Sequence, residues 1–150
     1  MPRAMSSAAR WVLVAIAVLA VAGVTVSSVS LYHHYGVSKT SYCDLGENFN
    51  CDIVNRSIYS TVLGIPVALI GILGYAALLA LATRYRAKAE TPAMLLTGSL
   101  AGLGFALYLT YIEAFVLATW CIMCLSSLTL IVLISALSLF LVASTRQQRD

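Results

Sequence analysis

Four long apolar runs restrict the solvent this chain can fold in. They are Trp11–Leu31, which carries no charge, then Thr61–Leu81, Ala93–Tyr111 and Thr119–Ala143. Each is close to or above the roughly 20 apolar residues that a helix needs to cross a bilayer. Inside hydrocarbon every backbone N–H and C=O must be satisfied within the span, which leaves helices as the economical solution for runs of this length. Composition agrees: 61% of residues are hydrophobic and 10% charged, with a mean hydropathy of +0.92, whereas a soluble domain is about half apolar and a quarter charged. The expectation is an all-α integral membrane protein, a four-transmembrane-helix bundle forming a single domain over residues 1–150. Its outer loop, residues 32–60, carries a short surface helix over Asn50–Tyr59. The net charge of +3 comes without a Lys/Arg block, so no nucleic-acid partner is expected. The first run has a basic start and small residues at 21–23, as a signal peptide has. It is longer than a signal peptide's apolar core and three similar runs follow, so it is read as an uncleaved span.

Positive charge sets the orientation. Arg3, Arg10, Arg84, Arg86, Lys88, Arg146 and Arg149 fall on one side of the four spans, and only Lys39 and Arg56 on the other. Both termini are therefore expected in the cytoplasm and residues 32–60 outside. The last span then runs inward, and all four cysteines, Cys43, Cys51, Cys121 and Cys124, lie on the extracytoplasmic side, where disulfides persist. Between the runs, Pro66 stands near the start of the second, where a missing amide costs least. Thr91-Pro92 reads as an N-cap and first-turn pair. Gly98 and Gly102 form a G-x-x-x-G pair suited to close helix packing.

Cys121-Ile122-Met123-Cys124 is a C-x-x-C at the outer start of the last span. On a helix the two thiols share one face, and the unpaired amides and dipole of a first turn stabilise a thiolate. A rise of about 1.5 Å per residue sets Cys124 roughly 4.5 Å deeper than Cys121. Cys121 is thus expected nearer water and the loop, and Cys124 nearer an apolar redox partner. The loop pair, Cys43 and Cys51, supplies a relay by thiol–disulfide exchange from a soluble protein to Cys43, Cys51, Cys121 and finally Cys124. A quinone fits as the last acceptor, being apolar and a two-electron oxidant. Two other uses of four outer cysteines stay open at this point: structural disulfides in a non-enzymatic scaffold, and a four-thiolate metal site. A helical i, i+3 bridge needs distortion, and the loop spacing does not match paired zinc motifs. No metal is therefore expected.

With Cys43-x7-Cys51, Ser57 six residues on, a C-x-x-C opening the last span, and four spans, the chain resembles the vitamin K epoxide reductase family, in its bacterial stand-alone form. The resemblance implies that Cys121 and Cys124 are the active-site pair, with Cys124 the thiol that meets the quinone. It implies that Cys43 and Cys51 are shuttle cysteines, and that Ser57 hydrogen-bonds the quinone head group. It further implies a bacterial inner-membrane location and electron flow from an extracytoplasmic thioredoxin-like dithiol oxidase to menaquinone or ubiquinone, supporting disulfide formation. Vitamin K epoxide or quinone reduction as the main role, as in the animal enzymes, is the alternative. Against it, the animal Thr-Tyr-Ala stretch after the C-x-x-C is replaced by Ser126-Ser127-Leu128-Thr129, and no asparagine stands near Ile65 and Pro66 at the start of the second span.

Other polar residues read more blandly. Glu113 can take up protons from quinone chemistry but is expected as a solvated interfacial group. Trp120 and Tyr111 read as interface anchors that can also line a pocket. Asn55 and Arg56 cap or orient the surface helix, and His33 and His34 are read as interfacial.

Overall fold

The computed structural model describes residues 5–36, 49–84 and 88–150, with Cys51 and Asp52 described by backbone only. Helix α1 spans Ser7–Tyr35 and starts on Ser6, whose hydroxyl accepts the Ala9 amide at 3.2 Å. Its buried residues are Leu13, Ile16, Ala20, Gly23, Ser27, Ser30 and His33. Spacings of three and four put them on one stripe. Helix α2 (Cys51–Asn55) is short and is capped by Asn50, whose Oδ1 accepts the Ile53 amide at 3.2 Å. A single 3-10 turn follows at Ile58–Ser60. Helices α3 (Val67–Thr83), α4 (Thr91–Tyr111) and α5 (Ile122–Gln147) complete the bundle.

Helix α1 packs on α3 and α5, α4 on α5, and α3 on α4. The four long elements therefore close a ring, and their apolar core includes Leu13, Ile16, Tyr75, Leu78, Leu95, Ile131 and Ile134. Two close approaches show why small residues stand where they do. A Cβ on Gly23 would lie 2.3 Å from the Tyr75 ring, and one on Gly71 would lie 2.8 Å from Ser27 Oγ. Gly98 and Gly102 do face packed neighbours, Leu78 and Ile131 respectively. The outer faces stay apolar, with Trp11, Val18, Leu73, Leu107 and Phe140 exposed. Such a surface suits lipid rather than water. The molecule is an integral membrane protein.

Several boundaries differ from the expectation. Three helical segments, Ser7–Tyr35, Thr91–Leu117 and Ile122–Gln147, are long and apolar enough to span, and α3 is a shorter apolar helix. The second run does not begin as helix. Thr61–Val62 and Ile65–Pro66 pair antiparallel as β1 and β2, with Leu63 and Gly64 both at positive φ in the turn. That is the hairpin geometry whose twist matches paired strands. The all-α expectation therefore gains one small sheet, and α3 starts directly after Pro66. The expected surface helix over Asn50–Tyr59 is broken after Asn55. Helix α1 runs to Tyr35, so the connection begins later than residue 32. The fourth run becomes helical only at Ile122, not at Thr119, because the chain first turns through Ala118 at φ 49° and ψ 31°.

Candidate functional site

Cys121 is the N-cap of α5, not a member of its first turn. Its φ of −111° and ψ of 116° are extended, and its Sγ accepts the Cys124 amide at 3.4 Å. The i, i+3 face expected of a helical pair therefore does not apply. A thiol at an N-cap does what a serine or aspartate does there: it takes up one of the unpaired amides at the positive end of the helix. Cys121 is fully buried and Cys124 is half-buried. The expectation that Cys121 is the thiol nearer water is therefore overturned: it lies beside Trp120, which pairs with the loop, but out of solvent, and Cys124 is the more exposed of the two.

The loop reaches this point through backbone pairing. The Asn50 amide donates to the Trp120 carbonyl at 3.1 Å, and Phe49 and Trp120 form a parallel bridge. The residues after these two partners are Cys51 and Cys121, so both cysteine pairs have a member next to one hydrogen bond. Cys43 lies outside the described residues, as does the side chain of Cys51.

Glu113 overturns its interfacial assignment. It is 1% exposed, and its Oε2 accepts the Cys121 amide at 3.1 Å. The Cys124 side chain is a further partner of this carboxyl. Oε1 is buried and completes no hydrogen bond among the described residues. Two local features place it there. After Tyr111 the α4 backbone widens into a π-type turn over Ile112–Leu117. The left-handed Ala118 then returns the chain so that the Thr119 amide donates to the Glu113 carbonyl at 3.1 Å. A charge-capable residue at this depth is costly and marks a site more often than a surface.

Beside these groups the bundle encloses a cavity of about 390 Å³, within the roughly 300–1,000 Å³ typical of small-molecule sites. Its apolar wall includes Leu78, Phe105 and Ile131, and Cys124 and Glu113 also line it. Its polar end is built from His34, Asn55, Ser57 and Ser60. Ser57 lies there as a half-buried residue, with its hydroxyl donating to the Val54 carbonyl at 2.8 Å. Ser60 donates to the Ser57 carbonyl at 2.7 Å. Neither Trp120 nor Tyr111 lines the cavity. Tyr111 is exposed and pairs with the Phe115 ring at 5.0 Å.

Sequence reasoning passed over Tyr75, read Asn55 only as a cap or orienting group of the surface helix, and read His33 as interfacial. Asn55 is buried, its Oδ1 taking the Ser30 hydroxyl at 2.7 Å and its carbonyl meeting His34 Nδ1. His33 is buried rather than interfacial. Tyr75 of α3 donates its hydroxyl to the Ser127 carbonyl at 2.8 Å, so a tyrosine does meet the segment after the C-x-x-C, from another helix. None of these had a local sequence signal except the α1 stripe, whose three-four spacing passes through Ser30 and His33.

The arrangement can hold an apolar molecule with a polar head against a cysteine whose amide is bound to its C-x-x-C partner. No curated protein matches the chain. The model of the Vitamin K epoxide reductase family matches residues 14–139, a stretch that takes in the whole site. The chain belongs to the vitamin K epoxide reductase family, a family of quinone-linked membrane oxidoreductases.

Proposed function

We propose that this protein oxidises an extracytoplasmic thioredoxin-like dithiol protein and passes the electrons to a membrane quinone, menaquinone or ubiquinone, as part of disulfide formation in a bacterial inner membrane. One observation carries the reading. The C-x-x-C presents Cys124 to an apolar cavity, and its other member, Cys121, sits beside the backbone pairing that brings in the loop.

In this reading the donor dithiol exchanges with a disulfide of Cys43 and Cys51. The loop dithiol then reduces the Cys121–Cys124 disulfide. The resulting dithiol gives two electrons and two protons to the quinone, leaving a disulfide and a quinol. Cys124 reacts with the quinone, and Ser57 lies at the head-group end. Cys121 follows Trp120, whose carbonyl accepts the Asn50 amide, so it is the member of the pair placed to exchange with Cys51. The single domain crosses the membrane four times with both termini in the cytoplasm. Helix α3 is the fourth span, since its 17 residues reach about 25 Å and it closes the ring between α1 and α4.

The shuttle is tested by its selectivity. Cys51→Ala is expected to stop oxidation of a protein dithiol donor while sparing most quinone reduction by a small dithiol that reaches Cys121 and Cys124 directly. Steady-state quinol formation with each donor is the readout. Equal loss with both donors would remove the loop from the route.

A further inference from the structure

Three of the hydroxyls that line the cavity have their protons committed. Ser30 gives its proton to Asn55 Oδ1 at 2.7 Å, Ser57 to the Val54 carbonyl at 2.8 Å, and Ser60 to the Ser57 carbonyl at 2.7 Å. A hydroxyl has one proton to donate. Ser57 can therefore hydrogen-bond a ligand oxygen as a donor only by releasing Val54. His34 Nδ1 is held by the Asn55 carbonyl.

Asn55 differs from all of these. It is 93% buried, being 7% exposed, and it lines the cavity. The Ser30 hydroxyl fixes Oδ1, which sets the orientation of the amide and leaves the Nδ2 hydrogens on the other side. Nδ2 is buried and has no hydrogen-bond partner among the described residues. A primary amide has two N–H donors, and leaving them unmet in an apolar wall is unfavourable unless something else accepts them. The backbone around it is also held. Asn50 caps α2, and Arg56, the next residue, donates to the Gly36 carbonyl. Nδ2 is therefore a preset donor beside an apolar cavity that Cys124 also lines.

We propose that Asn55, through Nδ2, is the hydrogen-bond donor that recognises a carbonyl oxygen of the quinone, with Ser30 holding the amide in that orientation. This rests on the quinone-reductase reading above and deepens it. The group matched is a strong acceptor, a ketone oxygen, on an apolar ring. Reduction converts that oxygen to a hydroxyl, which is a donor as well and a weaker acceptor. Nδ2 has no acceptor capacity to answer it. Asn55 thus binds the oxidised form better than the product and helps the quinol leave.

The test uses the full-length protein in detergent with a small dithiol donor and a short-tail naphthoquinone. Asn55→Leu keeps the branching and the number of heavy atoms of the side chain and removes the donor. Its KM for the quinone is expected to rise on the order of tenfold. The rate at saturating quinone should fall much less, the KM for the dithiol should stay as in wild type, and inhibition by added naphthoquinol should weaken less than quinone binding does. Ser30→Ala frees the amide without removing it and should raise the quinone KM by a smaller factor. A melting midpoint for each variant reports folding. A folded Asn55→Leu protein with an unchanged quinone KM overturns the proposal. So does Ser57→Ala raising that KM more than Asn55→Leu does, since the hydroxyl would then be the donor. If Asn55→Leu does not fold, an unchanged KM in Ser30→Ala overturns it. These outcomes are distinct from failure of the underlying reading, in which the wild-type protein itself forms no quinol from dithiol and quinone.

Discussion

Cys124→Ala is expected to lower quinone reduction by more than roughly a thousandfold with either a protein or a small dithiol donor, because it removes the reacting nucleophile. Cys124 is the member of the pair that lines the 390 Å³ cavity, whereas Cys121 is fully buried against the loop and the Glu113 carboxyl. Ala at 124 keeps the backbone amide that Cys121 Sγ accepts, so the N-cap of α5 survives the change. The fold should therefore persist, and the loss should fall on kcat. Cys121 should still attack the Cys43–Cys51 disulfide, releasing one loop thiol, and stop at a mixed disulfide with the loop. Trapping that adduct by alkylation, then following quinol absorbance, checks both halves. Undiminished turnover would remove Cys124 from the reaction.

The second large effect concerns stability. Glu113→Ala is expected to destabilise the protein by roughly 2–3 kcal/mol, the scale for orphaning a buried backbone donor and losing a side chain's packing together. The carboxyl ties the end of the α4 segment to the start of α5 through the Cys121 amide at 3.1 Å. Without it that N–H has no acceptor in a region closed to water. Glu113→Gln keeps an oxygen in the same place and should recover most of the loss. The melting midpoint in detergent of the two variants separates them. If Gln melts as low as Ala, the hydrogen bond to Cys121 is not what Glu113 contributes to the fold.

Glu113 also shows where the sequence stops being legible. A lone acid after an apolar run looks like an interfacial residue, and periodicity offers nothing against that. Its burial comes from a π-type turn followed by a left-handed alanine, and neither has a residue signature here. The hairpin at residues 61–66 was hidden for a related reason. Val62-Leu63-Gly64-Ile65 reads as the apolar start of a helix, and Leu63 replaces the asparagine or aspartate that normally announces such a turn. Asn55 was legible only as a cap or orienting group of the surface helix, because its bond to Ser30 depends on how the loop docks on α1, 25 residues distant in sequence.

Other features were legible because they depend on composition or spacing alone. Long uncharged runs have few alternatives in a folded chain, and the long helices and lipid-suited exterior follow from them. The C-x-x-C was correctly set at the beginning of the last helix, though three residues too deep, since the helix starts at Ile122 and not at Thr119. A cysteine at an N-cap and one in a first turn have the same sequence. The two-glycine pair in α4 was readable as packing, and Gly98 and Gly102 meet Leu78 and Ile131.

The central claim, that the C-x-x-C pair reduces quinone at this cavity, is tested most directly by a single turnover. Fully reduced Cys43→Ala/Cys51→Ala protein, whose loop cannot take over the disulfide, is mixed anaerobically with one equivalent of quinone, quinol is measured, and the disulfides formed are mapped by mass spectrometry. The account predicts one quinol per chain together with a bond between Cys121 and Cys124. Unreduced quinone, or quinol formed while both of those thiols remain, would contradict it.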